Sequence, residues 1–102
     1  MVNLPAFNDH GGRRSYERCA REVQPHLRRV GAKVVYSGDF SQVVIGADSP
    51  TWWDAIVVVE YPSRAKFLEM VSDPRYQEIS VHRSAALETS ALIATYPWSI
   101  ED

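Results

Sequence analysis

The chain has 102 residues, of which 45% are hydrophobic and 24% charged, and its formal net charge at neutral pH is −2. This length allows one hydrophobic core and is too short for two, so we expect a single domain over residues 1–102, with a C-terminal tail at 97–102. The slightly acidic balance argues against nucleic acid as a partner, and the lack of a long apolar run argues against a membrane.

The sequence also limits the possible chemistry and location. The one cysteine, Cys19, excludes an intrachain disulfide and a cysteine-based zinc site. His10 and His26 have no partner at metal-ligand spacing, and the common nucleotide and serine-hydrolase motifs are absent from the sequence. We therefore expect no metal and no cofactor. The first residues do not resemble a secretory signal, which predicts a cytoplasmic location.

The first half of the chain predicts a strand followed by a long helix. Residues 1–7 favour a strand, which Pro5 restricts to an edge or to a position where no ladder donor is needed. Between residues 13 and 30 the apolar positions recur at steps of three and four, which predicts a helix with one buried stripe. Gly31 is expected to end this helix, and Pro25 predicts a kink inside it.

The second half of the chain predicts strands around a pair of helices. The Val- and Tyr-rich runs 33–37 and 42–45 predict two short strands or one bent strand. A continuous β-branched run inside 55–61 predicts a strand buried on both faces. The remaining sequence predicts two capped helices and a last strand, at 63–71, 73–86 and 87–96.

The order of these elements is a split βαβ pattern, and it predicts an α+β, ferredoxin-like fold. Such a fold has a four-stranded antiparallel sheet with helices on one face. The strand at 55–61 has no polar alternation that would suit an exposed second face. We therefore expect a second copy of the chain to cover that face, which gives a homodimer joined through its sheet faces.

Several segments in order along the chain carry a resemblance to a known family: Met1–Leu4, Gly11-Gly12 before Tyr16, Val30–Lys33, Glu60–Arg64, Asp73–Gln77 and His82-Arg83. Together they look like a family of small proteins of unknown function in the dimeric α/β-barrel superfamily, although Pro5 departs from the apolar residue expected there. The resemblance implies the barrel dimer. It leaves the function open, because that superfamily hosts cofactor-free monooxygenases, cyclases, isomerases, dehydratases and plain ligand binders.

A histidine and an arginine next to each other are the first site candidates. His82 is the candidate catalytic residue, since a histidine can move protons near neutral pH without a metal or cofactor, and it matches a His-Arg pair of the resembled family. Arg83 is the candidate to hold a carboxylate, enolate or phenolate oxygen. In the alternative interpretation His82 is a surface or structural residue, and Arg83 pairs with Glu78 or Glu88.

Four further side chains are candidates for ligand binding, namely Asn3, Tyr36, Tyr61 and Trp52. The amide of Asn3 lies in an apolar strand and either satisfies local backbone or binds a ligand carbonyl. The two tyrosines lie on predicted strands, where a phenol combines apolar area with a hydrogen-bonding group. Trp52 and Trp53 either wall a pocket for an aromatic ligand or pack in the dimer.

Two functions are compatible with this pattern. The first is a cofactor-independent enzyme that carries out proton transfer, cyclisation, isomerisation or oxygenation on an apolar, aromatic or polyketide-like substrate of secondary metabolism. The alternative is a non-catalytic module that binds a small ligand or assists another protein. Turnover that depends on His82 favours the enzyme, whereas saturable binding without product favours the module.

Overall fold

The structure is a computed structural model that describes residues 1–46 and 48–98. Its elements are, in chain order, β1 (Val2–Phe7), α1 (Gly12–Arg29), β2 (Lys33–Asp39), β3 (Ala55–Glu60), α2 (Arg64–Val71), α3 (Pro74–Ala85) and β4 (Leu87–Ile93). The strands form one four-stranded antiparallel sheet in the spatial order β2-β3-β1-β4. The predicted α+β, ferredoxin-like fold is thus confirmed. Among the described residues, no helix has the length and apolar character needed to cross a bilayer.

Capping residues set the start of the two short helices. The Ser63 hydroxyl accepts a hydrogen bond from the Lys66 amide at 3.2 Å, which starts α2. The Asp73 carboxylate accepts one from the Arg75 amide at 2.8 Å, and Pro74 occupies the first turn of α3. A side-chain oxygen that accepts from a free amide of the first turn stabilises a helix by about 1 kcal/mol. Both starts agree with the sequence prediction to within a residue.

Helix α1 lies between two glycines that adopt positive φ. Gly11 precedes the helix and Gly31 follows it, each with φ of 77°. This left-handed conformation costs glycine little and other residues more, so both ends of α1 are encoded in the sequence. The helix continues through Pro25, and the kink expected at this residue stays a prediction.

Two predicted strand segments are wrong, and both errors have the same cause. Residues 42–45 lie outside the sheet. Strand β2 pairs with β3 along its whole length, from Lys33 opposite Glu60 to Asp39 opposite Ala55, so no part of this edge of β3 is free for them. Likewise β4 ends at Ile93, which lies opposite Val2 at the start of β1, so residues 94–96 have no partner strand. An apolar run becomes a strand only where a neighbouring strand can accept its hydrogen bonds.

Pro5 lies in a central strand rather than at an edge. Its carbonyl accepts a hydrogen bond from the Asp54 amide at 2.8 Å, and the Phe7 amide donates to the Asp54 carboxylate at 2.8 Å. The nitrogen and the carbonyl of one strand residue point to the same side of the strand, so the Pro5 nitrogen also faces Asp54. The ladder between β1 and β3 includes only Val2 and Asn3. Pro5 is therefore at a position where no ladder donor is needed, the second of the two sequence-based alternatives.

The core lies between the helices and the face of the sheet that they cover, which we call the inner face. Its buried cluster consists of Leu27, Val30, Ala32, Val59 and Met70. Leu27 lies on α1 and Val30 directly after it, whereas Val59 lies on β3 and Met70 on α2. Burial of these side chains against one another fixes the helix layer on the sheet.

The opposite face of the sheet, called the open face here, is apolar, and no helix of residues 1–46 and 48–98 packs on it. Cross-strand neighbours point to the same side of a sheet, and on the open face they form two rows: Tyr36, Val58, Val2 and Ile93, then Leu4 and Ala91. The molecule measures 45 × 41 × 16 Å, and the short dimension fits one sheet and one helix layer. The helices of the described residues therefore cover β3 on its inner face alone, and the burial of its other face stays a prediction.

Candidate functional site

A small cavity, called the inner cavity here, lies between α1, α3 and the inner face. Its volume is about 90 Å³, room for about three water molecules. Apolar side chains such as Val23, Leu27 and Val59 form much of its wall. The polar side chains at the cavity include Asn3, Tyr61, Tyr76 and Arg83. A few convergent polar groups in an apolar wall are typical of ligand sites.

Among the residues that the structure describes, Arg83 of α3 is the one cation that lines the inner cavity. Its Nη2 donates to Oδ1 of Asn3 at 3.3 Å, and Nδ2 of Asn3 donates to the Val57 carbonyl at 3.3 Å. The guanidinium carbon lies 5.6 Å from the centroid of the Tyr16 ring, a cation–π contact. The salt bridges within residues 1–46 and 48–98 include none to Arg83. Arg83 is thus a half-buried cation held in place by a neutral amide and an aromatic ring.

Two phenols add neutral hydrogen-bond donors to the same cavity. Burial, reinforced by the neighbouring Tyr76, raises the pKa of Tyr61 to about 12, although Arg83 opposes the shift. Burial also raises the pKa of Tyr76. Both hydroxyls therefore keep their protons at neutral pH and can donate to an acceptor in the cavity.

The raised pKa of Tyr61 predicts a measurable alkaline titration. The folded chain holds this proton more tightly than the unfolded chain, so the stability it contributes is present below pH 10 and is lost as the pH rises towards about 12. We expect the phenolate absorbance of wild type minus that of Tyr61→Phe to give a midpoint near 12. A midpoint at the ordinary tyrosine value of about 10 would show that the Tyr61 hydroxyl is not in a desolvated site.

A larger cleft continues outward from the inner cavity, between α1 and β2, with a volume of about 400 Å³. The cavity and the cleft share five lining side chains: Tyr16, Ala20, Gln24, Val34 and Val57. At its outer end Arg13 of α1 pairs with Asp39 of β2 at 2.7 Å. The cleft and the inner cavity are therefore neighbouring compartments with common walls.

His82 faces a different depression, called the outer groove here. This groove lies between the start of α1 and the end of α3, and its volume is about 540 Å³. Its polar side chains include His10, Ser15, Arg18, Glu22 and His82. Successive residues of a helix point about 100° apart. His82 is accordingly exposed in the outer groove while Arg83 reaches the inner cavity.

Among known protein families, the chain matches the one described as "Domain of unknown function (DUF1330)" over residues 4–96. The chain belongs to the DUF1330 family. This confirms the resemblance to a family of small proteins of unknown function. No curated protein matches the chain.

Solved structures with similar folds support the fold of this DUF1330 chain. The RPA0582 protein of unknown function from Rhodopseudomonas palustris is 37% identical, with 97% of this chain and 81% of that chain covered and a TM-score of 0.80. The structure of methylated RPA0582 is also 37% identical, with 96% and 78% covered and a TM-score of 0.78. The protein At3g17210 from Arabidopsis thaliana is 15% identical, with 98% and 95% covered and a TM-score of 0.73, and at this identity it shows the fold alone.

In this DUF1330 chain the structure separates the six site residues proposed from the sequence. Asn3, Tyr61 and Arg83 meet at the inner cavity, whereas His82 lies in the outer groove. Tyr36 is on the open face and 57% exposed. Trp52 lies between β2 and β3, where its ring packs edge-on against Trp53 at 5.7 Å. His82, Tyr36 and Trp52 therefore do not line the inner cavity, and any role they have lies elsewhere.

Tyr16 and Tyr76 are also at the inner cavity, but the sequence pattern does not single them out as site residues. The spacing of apolar residues in 13–30 predicts a structural role for Tyr16, and Tyr76 lies within the segment Asp73–Gln77 that carries the family resemblance. A usable signal exists for Tyr76, since it precedes Arg83 by seven residues, or two helical turns, and so lies on the same face of α3. For Tyr16 no such signal exists, because the contact with Arg83 joins two different helices.

Proposed function

We propose that this DUF1330 chain binds a small molecule whose head group is a carboxylate or a similar oxygen anion, with the head at Arg83. The observation that supports this proposal is a half-buried guanidinium whose hydrogen-bond partner is a neutral amide, Asn3. A partly desolvated cation without a counter-ion is costly, and an anionic ligand would offset that cost.

The neighbours of Arg83 fit an acceptor ligand better than a donor ligand. Tyr61 and Tyr76 stay protonated at neutral pH and can donate, as can the guanidinium. Asn3 uses its amino group on the Val57 carbonyl, which turns its oxygen towards Arg83. Hydrogen bonds between ionised groups are roughly twice as strong as neutral ones. The cavity volume of about 90 Å³ admits a head group such as a carboxylate.

The titratable groups of the inner cavity favour the donation of hydrogen bonds over the abstraction of a proton. Burial raises the pKa of Tyr61, of Tyr76 and of the Cys19 thiol, which also lines the cavity. These groups are therefore poor general bases at neutral pH. We accordingly propose the non-catalytic ligand-binding module as the first function.

The cofactor-independent enzyme remains a second candidate, and one observation favours it. His10 and His82 both line the outer groove. The groove's volume of about 540 Å³ falls within the range of small-molecule sites, about 300 to 1,000 Å³. In this proposal His82 would transfer a proton on a substrate held in the groove, outside the inner cavity.

Nuclear magnetic resonance on the isotope-labelled chain separates the two candidates. We expect propionate to shift the signals of Asn3, Tyr61, Tyr76 and Arg83 in a saturable way, with no product formed. Shifts confined to His10 and His82, or a product whose formation is lost in His82→Gln, would favour the enzyme instead. An absence of any saturable shift would contradict the binding proposal.

We further propose that the chain forms a homodimer through the open face and that it works in the cytoplasm. The apolar rows of the open face support the dimer, since large exposed apolar patches usually mark interfaces. Sedimentation is expected to show a dimer that Val58→Lys dissociates. Val44→Lys, in the exposed segment between β2 and β3, is the matched control and should remain dimeric. A monomeric wild type would contradict the dimer.

A further inference from the structure

We propose that the cleft between α1 and β2 is a second subsite, which binds the flat apolar body of the ligand, so that the ligand is an arylalkyl monocarboxylate. This inference rests on the proposed function for the position of the acidic head. The head would lie at Arg83 in the inner cavity, and the ring would lie in the cleft.

The volumes of the two compartments indicate which part of the ligand each can hold. The inner cavity has a volume of about 90 Å³, whereas a cavity of about 150 Å³ is known to hold benzene. An aromatic ring therefore does not fit beside the head group, but it fits in the cleft of about 400 Å³. Because five side chains line both compartments, a short linker is enough to join the two parts of the ligand.

The walls of the cleft offer a flat apolar body both ring and aliphatic contacts. The rings of Phe7 and Tyr16 lie 5.3 Å apart and form its aromatic side. Val34 and Val57 form part of its aliphatic side. Val34 remains 38% exposed although it lines the cleft beneath α1, so its surface is available to a ligand. Burial of this solvent-exposed apolar surface by an aromatic ring of the ligand would favour binding.

The charges along the cleft set the direction of the ligand. At the outer end the Arg13 guanidinium is already paired with Asp39 at 2.7 Å and with Glu17 at 3.2 Å. Arg13 also lies over the Phe7 ring, 5.9 Å from its centroid. Its charge is therefore balanced, whereas that of Arg83 is balanced by no carboxylate in the described ranges. A single carboxylate should thus point inward, and the ring should point to the mouth.

A substitution that fills the cleft tests this proposal. Ser37 is exposed, lines the cleft but not the inner cavity, and pairs with Val57 on the same face of the sheet. Ser37→Trp should therefore occupy the cleft and leave Arg83 free. Ser41→Trp, just after β2 and outside both compartments, is the matched control.

Calorimetry with propionate and 3-phenylpropionate gives the readout. We expect the wild-type chain and Ser41→Trp to bind 3-phenylpropionate at least tenfold more tightly than propionate, because each buried methylene contributes about fourfold. In Ser37→Trp this gain should be lost, while the affinity for propionate is unchanged. In the wild-type complex, nuclear Overhauser contacts should join the ligand ring to the Phe7 ring and the Ala55 methyl group, which line the cleft but not the inner cavity, a result that does not depend on any variant.

The failures of the two proposals can be told apart. If propionate binds at Arg83 but the phenyl group adds no affinity, or if the gain survives in Ser37→Trp, the cleft is not a subsite and only this inference is overturned. Ring contacts that fall elsewhere than on Phe7 and Ala55 overturn it as well. If neither acid binds the wild-type chain, the proposed function fails and this inference fails with it.

Discussion

Replacing Arg83 with glutamine is expected to weaken the binding of a small carboxylate at least tenfold. A hydrogen bond to a charged group contributes about 1.5 to 3 kcal/mol, and about 1.4 kcal/mol corresponds to a factor of ten in affinity. Glutamine keeps a polar side chain at this half-buried position but removes the charge and most of the donors. The dissociation constant for propionate, measured by calorimetry on wild type and variant, gives the answer.

A matched control for this prediction lies on the same helix. Arg75 is exposed in the first turn of α3 and does not line the inner cavity. Arg75→Gln makes the same chemical change and should leave the affinity for propionate unchanged. Equal losses in the two variants would mean that the overall charge of the chain, and not the inner cavity, attracts the acid.

Truncating Leu27 to alanine is expected to lower the free energy of unfolding by about 3 kcal/mol. Leu27 is 4% exposed and belongs to the buried cluster between α1, β3 and α2. Removal of a buried leucine side chain costs its burial energy and leaves a cavity, which together come to about 2 to 5 kcal/mol. Urea unfolding at a fixed chain concentration measures the change, since the stability of a dimer depends on concentration.

Leu68 provides the control for Leu27. It lies on α2 but is 58% exposed, so Leu68→Ala should change the free energy of unfolding by no more than about 0.5 kcal/mol. If the proposed dimer buried Leu68 in its interface, the truncation of Leu68 would cost more. A loss for Leu27→Ala below about 1 kcal/mol would contradict the placement of the core between the helices and the inner face.

Most of the fold is readable from the sequence because local signals specify it. The glycines around α1 and the caps at Ser63 and Asp73 mark where helices begin and end. The predicted strand at 42–45 is wrong because strand formation depends on a partner, and β3 already pairs with β2 on one edge and with β1 on the other. Local propensity carries no information about which partner is free.

The candidate site is only partly readable from the sequence. The chemistry of Asn3, Tyr61 and Arg83 makes them site candidates, but the contact between Asn3 and Arg83 joins residues 80 positions apart. Composition cannot reveal that His82 and its neighbour Arg83 serve different depressions, because this depends on the rotation of α3 about its axis. Nor can it give the volume of the inner cavity, which depends on how α1 and α3 pack on the sheet.

A crystal structure of the chain grown with saturating propionate tests the central claim most directly. We expect the two carboxylate oxygens to lie about 3 Å from the Arg83 guanidinium and from the hydroxyl of Tyr61 or Tyr76. Propionate bound beside His82 in the outer groove, or an inner cavity that contains only water at saturating propionate, would contradict the assignment of Arg83 as the anchor of the ligand.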